Sequence, residues 1–291
     1  LFSFPYLGLE ALTGNISKFD VIGGRVYIRP LAFMDNSLFG RLQLGVIGVF
    51  DRDPLLYTGS PYKTCTTDSI YVVGADITLP LIQSPAFSLT PFGEGAYEMN
   101  KAMGAIAGIR GRAFGLVSYR AQFRYLQDGF IPSYFDANYD IYRADRFVFI
   151  ENNPAKNDFT PGWLASLGLD LFKSSLSFGV TLDAPFRELP TTATDNPADY
   201  PHVKGSLSLG RGLIPNVDIT ARYEKFFLGK KSNDVIKDLI DLEDSSIGMT
   251  VSYKAGTAVV SMDYAYIWNP TKNSGKGAFD VVSSLSVGFE L

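Results

Sequence analysis

The chain has 291 residues, 26 basic and 30 acidic side chains, one histidine and a net charge of −4. That near-neutral balance, with a pI near 5.1, lacks the basic face needed to meet nucleic-acid phosphates, and the lone Cys65 excludes a disulfide framework or a paired-thiol metal site within the chain. Hydrophobic residues reach 46% but never run for the roughly 18 consecutive positions of a membrane helix.

Taken in chain order, the pattern is period two. Apolar residues alternate with small or polar ones in segments of about ten, as a strand with two unlike faces requires. About fourteen strands (12–16) are predicted, starting near residues 5, 21, 41, 70, 87, 102, 116, 163, 175, 203, 217, 246, 258 and 280. From Leu116 to Tyr125, Val117, Tyr119, Ala121, Phe123 and Tyr125 alternate with Ser118, Arg120, Gln122 and Arg124. From Ser175 to Asp183, Leu176, Phe178, Val180 and Leu182 alternate with Ser177, Gly179, Thr181 and Asp183. From 217 to 226, Val217, Ile219, Ala221 and Tyr223 alternate with Asp218, Thr220, Arg222 and Glu224. Pro80 and Pro91 each remove a ladder hydrogen bond and blur the boundaries around them.

The connections alternate in length. Asp51 to Ser69, Asp128 to Pro161, Arg187 to Pro201, Lys230 to Ser245 and Asn269 to Phe279 are long, whereas Ser84 to Ala86, Ala113 to Gly115, Lys173-Ser174, Ile214 to Asn216 and Ala255 to Thr257 are tight turns. Two links, near Gly14 to Asp20 and Asn100-Lys101, break the rule by being short on the long side. In an up-and-down sheet this gives one smooth end and one shaggy end. The expectation is therefore all-β: a single antiparallel up-and-down transmembrane barrel over residues 1–291, with long loops over 51–69, 128–161, 187–201, 230–245 and 269–279. A soluble sandwich or barrel shares the alternation and differs in which face is buried. Aromatic residues near strand ends fit an interfacial girdle: Tyr71, Tyr97, Tyr125, Trp163, Phe172, Phe186, Phe226, Tyr253, Tyr266 and Trp268.

The last eight residues, SLSVGFEL, resemble the C-terminal signal of bacterial outer-membrane barrels, with Ser284, Phe289 and Leu291 matching. Ser286 stands where that pattern has Gly, and Leu291 where it more often has Phe. Across the whole chain, the architecture resembles the monomeric general porins or the fatty-acid-transporter-like channels. The resemblance implies a bacterial outer-membrane location, with lipid around the wall and small polar solutes or ions passing through it.

About fourteen strands tilted near 40° would enclose a cylinder of roughly 28 Å, too wide for side chains to fill. The positions expected to face inward are polar: Arg25, Tyr27, Arg29, Arg41, Gln43, Asp76, Glu94, Glu98, Arg110, Arg112, Arg120, Gln122, Arg124, Asp170, Asp183, Lys204, Asp218, Arg222, Glu224, Lys254 and Asp263. Such a census implies either a hydrated channel or a network of salt bridges. An arginine arc on strands two, three, six and seven borders the acidic Asp76, Glu94 and Glu98, giving a selectivity field or else pairs that hold strand register. The 128–161 segment, carrying Phe130, Tyr134, Phe135, Tyr139, Tyr142, Phe147 and Phe149, either constricts the channel, caps it, binds a protein partner, or packs only on itself. The 230–245 segment fits one or two helical turns, with a place over the mouth.

Catalysis is not expected. His202 is the only histidine, and Ser206 on its strand face lies about 13 Å away, beyond a nucleophile–base bond. No metal cluster or phosphate cradle is evident, and no cofactor is expected. The rival readings are a transporter of hydrophobic substrates, which needs an apolar path, and a structural barrel that binds envelope or extracellular partners through its loops.

Overall fold

The computed structural model describes residues 2–13, 19–34, 38–55, 69–135, 139–172, 175–192, 197–210, 213–231, 235–269 and 278–289. Cys65 and Leu291 lie outside the described residues, as do the side chains of Tyr142 and Phe289.

Sixteen strands form among the described residues: β1 Phe2–Ser3, β2 Leu7–Thr13, β3 Val21–Ile28, β4 Gln43–Asp51, β5 Ile70–Thr78, β6 Ile82–Gln83, β7 Phe87–Glu98, β8 Met103–Ala113, β9 Val117–Gln127, β10 Phe159–Leu171, β11 Leu176–Pro185, β12 His202–Leu209, β13 Val217–Lys225, β14 Ser245–Ala255, β15 Ala258–Trp268 and β16 Phe279–Phe289. The order in the sheet is the order in the chain, with β6 off the path beside β7, and every pairing with a described register is antiparallel. The protein is thus all-β and up-and-down, as expected. Two of the strands, β1 and β6, are two-residue stubs, which leaves fourteen of useful length.

Pro80 explains β6. The proline carries no N–H, so the ladder lapses between Thr78 and Ile82. Leu79 and Leu81 still donate to the Pro91 and Leu89 carbonyls on β7, so the strand direction survives the break. The β3–β4 connection, Arg29 to Leu42, is longer than the other links on its end and contains a 3-10 turn, Leu38–Arg41. It follows Pro30, which ends the pairing of β3 at Ile28. Arg41 was expected on a strand and instead sits exposed in that turn.

By contacts the chain divides into two compact units: Leu1–Gly111 with Gln122–Pro161, and Arg112–Ala121 with Gly162–Leu291. In the first, cross-strand partners sort into two faces. Ile22, Val26 and Ile28 on β3 align with Phe50, Val46 and Leu44 on β4 and, through them, with Tyr71, Ala75 and Ile77 on β5; with Val73, which shares this face of β5, the large apolar groups among them are exposed, Val46 to 64%. The opposite face carries Val21, Arg25, Tyr27, Asp51, Ile70, Asp76, Glu94 and Glu98. A helix, α1 Tyr139–Asn152, lies against this second face.

In the second unit the split repeats. Leu167, Phe178, Val180, Leu182, Leu207, Ile247, Met249, Met262 and Leu285 are exposed on one face, while Asp170, Ser177, Thr181, Asp183, Lys204, Arg222, Thr250 and Asp263 occupy the other. β-branched and aromatic residues dominate the apolar face of the first unit, as strands favour, whereas Leu and Met lead among these residues of the second. The β8–β9 turn places Phe114 and Gly115 at positive φ, the primed geometry that matches strand twist. A short helix, α2 Val235–Ile240, follows β13. Among the described residues no helix is long and apolar enough to cross a membrane.

Candidate functional site

The polar faces are built from cross-strand charge pairs. In the first unit, Arg25 on β3 donates from Nε and Nη2 to Asp76 on β5 at 2.8 and 2.6 Å, and from Nη1 to Glu10 on β2 at 3.3 Å. The guanidinium must cross β4 to reach Asp76, and Gly45 is the β4 residue aligned with it. A Cβ there would sit 2.3 Å from Asp76 Oδ2 and 3.0 Å from Arg25 Nε, so the pair exists because residue 45 has no side chain. Tyr27 lies over Gly8 in the same way and offers its ring to Arg25 and Arg29, 4.7 and 5.3 Å from its centroid. Glu94 aligns with Asp76 across the β5–β7 ladder, and Arg110 sits 5.4 Å from the Phe92 ring. Arg124 shares β9 with Gln122, which is buried.

The 128–161 segment packs onto this same face, at the end that carries the long connections. Along α1, Tyr139, Arg143, Phe147 and Ile150 form one buried stripe. Phe147 and Ile150 meet Val21 and Ile70, with Val49, Val72 and Phe149 around them. Tyr134, Phe135 and Tyr139 pack ring on ring at 4.6 to 5.6 Å. Phe130 fills the space above Gly104 on β8, where a Cβ would stand 2.5 Å from its ring.

Polar clamps fix the helix. Arg143 donates from Nε and Nη2 to the Asp51 carboxylate at 2.7 and 2.6 Å and from Nη1 to Asp20 at 2.8 Å, and the Tyr139 hydroxyl donates to Asp51 at 2.5 Å. The three charged side chains are almost entirely buried, at 4% exposed for Arg143 and Asp20 and 0% for Asp51. Burial disfavours the charge on Asp20, but the hydrogen bond and charge of Arg143 outweigh it and hold that carboxyl below its usual range. For Arg143, burial likewise opposes the charge, and bonds to Asp51 and Asp20 more than compensate, so the guanidinium is charged at every accessible pH. Burial pushes the Tyr139 and Tyr134 hydroxyls upward, keeping both neutral and Tyr139 a donor to Asp51. Glu98, fully buried, accepts the Ile131 N–H on both oxygens at 3.1 Å. Expected among the inward-facing charges, it lies on the polar face and fastens this segment there.

In the second unit, His202 at the start of β12 lies with Nδ1 3.0 Å from Asp183 and Nε2 3.0 Å from Glu224, its ring stacked on Phe226 at 4.5 Å. Lys204 reaches the same Glu224 oxygen at 2.8 Å. Arg222 donates to Thr250 at 2.9 Å and pairs with Asp263 at 3.2 Å, and Arg112 pairs with Asp170 at 3.3 Å. Hydroxyl pairs fill the rungs between: Thr181 with Ser166, Ser208 with Thr220, and Ser252 with Ser261. Asp218 and Lys254 stand on this face toward the short turns, and Arg120 on β9 projects from the same unit.

The sequence placed Arg25 with Asp76, Arg222 with Asp263 and Arg112 with Asp170 on one face without naming them as partners. It missed Asp20, Asp51 and Arg143. Arg143 interrupts what would otherwise read as an apolar helical stripe, and the two aspartates sit where strand meets loop, positions that usually belong to solvent.

No protein-family model matches the sequence, and no curated protein matches it. Among solved structures, the chain is similar to the Acinetobacter baumannii outer membrane protein Omp33, with 8% identity and a TM-score of 0.39 over 98% of this chain and 96% of that one. It is similar to the NanC porin, with 10% identity and a TM-score of 0.34 over 98% of each chain. A third likeness is CdiB from Acinetobacter baumannii, with 10% identity and a TM-score of 0.42 over 97% of this chain and 58% of that one. Two of these neighbours carry outer membrane or porin in their descriptions.

Proposed function

We propose that the chain is a bacterial outer-membrane β-barrel channel through which small polar solutes or ions diffuse, with its apolar face toward lipid and its polar face toward enclosed water. The observation that carries this reading is the sorting of the wall in both units, with large apolar side chains exposed on one face and paired charges on the other. A protein in water rarely exposes contiguous apolar patches beyond a few hundred Å². Strands that face lipid must do so along their whole length. Charges on the opposite face are partly exposed and bridged across strands, as a hydrated wall requires.

On this reading α1 lies over the water-facing side of the first unit and narrows the passage there, with Phe130, Tyr134, Phe135 and Phe147 packing it down. Arg25 is bridged to Asp76 and Glu10 in the wall, and Arg110, Arg120 and Arg124 on β8 and β9 are the proposed selectivity residues. The reading is tested by single-channel recording of the refolded protein in planar bilayers. Stable conductance steps are expected, and replacing Arg110, Arg120 and Arg124 by Ala shifts the reversal potential toward cation preference. Silence of correctly folded protein would replace the channel with a barrel that anchors partners through its loops.

A further inference from the structure

The segment between β13 and β14 is built inside out. Helix α2 buries its aspartate and exposes its aliphatic residues: Asp238 is 4% exposed, whereas Ile236 and Ile240 are 73% and 77% exposed, with Val235, Leu239 and Leu242 also open. Asp238 is held in place by the backbone, accepting the N–H groups of Gly229 at 2.8 Å and Lys231 at 3.2 Å. Positions 235, 236, 239 and 240 share one side of a helix, so the exposed aliphatic groups form one patch. Water would favour the reverse arrangement.

Two hydrogen bonds fix which side of the wall this patch occupies. The Tyr223 hydroxyl donates to the Leu239 carbonyl at 2.8 Å, and Lys225 Nζ donates to the Asp241 carbonyl at 2.9 Å and to that of Glu243. Tyr223 aligns with Ile247 on β14, on the exposed apolar face, and Lys225 lies two residues further along that same face, buried beneath the segment. The described residues 235–244 therefore fold outward over the apolar side of β13, and the expected place over the mouth is not the one they take. The patch continues the apolar surface of Tyr223, Ile247 and Met249 beyond the end of the strands.

We propose that α2 is a membrane-surface foot: its aliphatic side lies in the lipid boundary between headgroups and acyl chains, beside the ends of β13 and β14. The proposal rests on the assignment of the apolar wall to lipid. Its commitment to lipid comes from the Tyr223–Leu239 bond that joins the patch to that wall, together with the geometry of a short amphipathic helix lying along the surface. Lys231, ion-paired to Asp241 at 2.7 Å and Glu243 at 2.9 Å, keeps the rest of the segment polar.

The test uses the full chain with Cys65→Ser, folded into phosphatidylcholine vesicles, carrying a polarity-sensitive fluorophore on Ile236→Cys, Ile240→Cys, Lys237→Cys or Leu167→Cys. Leu167 lies on the apolar face of β10 and reports on the wall itself. The expected result is a blue-shifted emission at 236 and 240, quenched by lipids brominated near the headgroup, with Lys237→Cys markedly less quenched. Lipid quenching at 167 with water-like emission at 236 and 240 would overturn the foot while leaving the membrane wall intact. Water-like emission at 167 would overturn the wall and the foot with it. Blue-shifted emission at 236 and 240 without lipid quenching, lost on dilution of the protein in the vesicles, would assign the patch to a second copy of the chain and likewise overturn the proposal.

Discussion

Replacing Arg143 by Ala should release α1 from the polar face. The guanidinium faces two carboxylates that are 4% and 0% exposed, and its removal leaves both buried without a cation. Breaking a buried pair by removing one partner typically costs about 3–5 kcal/mol. At 1.4 kcal/mol per factor of ten, that shifts the docking equilibrium roughly a hundred- to several-thousand-fold toward the released form. Asp51 retains the Tyr139 hydroxyl and the Asp53 N–H, so the penalty falls toward the lower end of that range. Amide hydrogen exchange at Phe147 to Ile150 reads the shift directly, because local opening sets the exchange rate. Arg143→Lys keeps the charge but loses the forked contact to Asp51, and should give an intermediate acceleration. On the proposed function, single-channel conductance of Arg143→Ala should rise. Unchanged protection at Phe147 and Ile150 would refute the reasoning, because it would mean that the apolar contacts with Val21 and Ile70 hold the helix without the ion pair.

The seat also has a pH signature. The Asp20 carboxyl is lowered in the folded protein, so its contribution is fully present above the unfolded value near 3.8 and is lost only as pH falls through the lower folded value. Protection of α1 should be flat from neutrality to about pH 5 and should fall below about pH 4; a loss centred near pH 6 would point to a different group. Gly45→Ala places a methyl 2.3 Å from Asp76 Oδ2 and should separate Arg25 from Asp76, at a cost of about 1–3 kcal/mol. Denaturant midpoints of folded protein in detergent would show it, and an unchanged midpoint would mean that the backbone yields at no cost.

Much of the sheet was legible because period two is a local property. The alternation around Leu116 to Tyr125 or Val217 to Lys225 survives as the two faces of β9 and β13, and the predicted strand starts lie within a few residues of the observed ones. What could not be read was the pairing across strands. Arg25 meets Asp76 only because Gly45 lies between them in register, and register is set by the turns. Helix α1 was hidden because its buried stripe includes Arg143, whose partners Asp20 and Asp51 are distant in sequence. Lys225 and Tyr223 gave no sign that the following segment would turn outward, since both read as ordinary strand residues.

The claim that the apolar face meets lipid is tested most directly by spin labels in vesicles, on a Cys65→Ser background. Nitroxides at Leu167, Val180 and Leu207 sample the apolar face, and those at Ser166, Thr181 and Ser206 the polar one. Collision with oxygen should dominate at the first set and collision with a water-soluble nickel chelate at the second, alternating residue by residue along β10 to β12. Nickel accessibility at Leu167, Val180 and Leu207 equal to that at their neighbours would contradict the account.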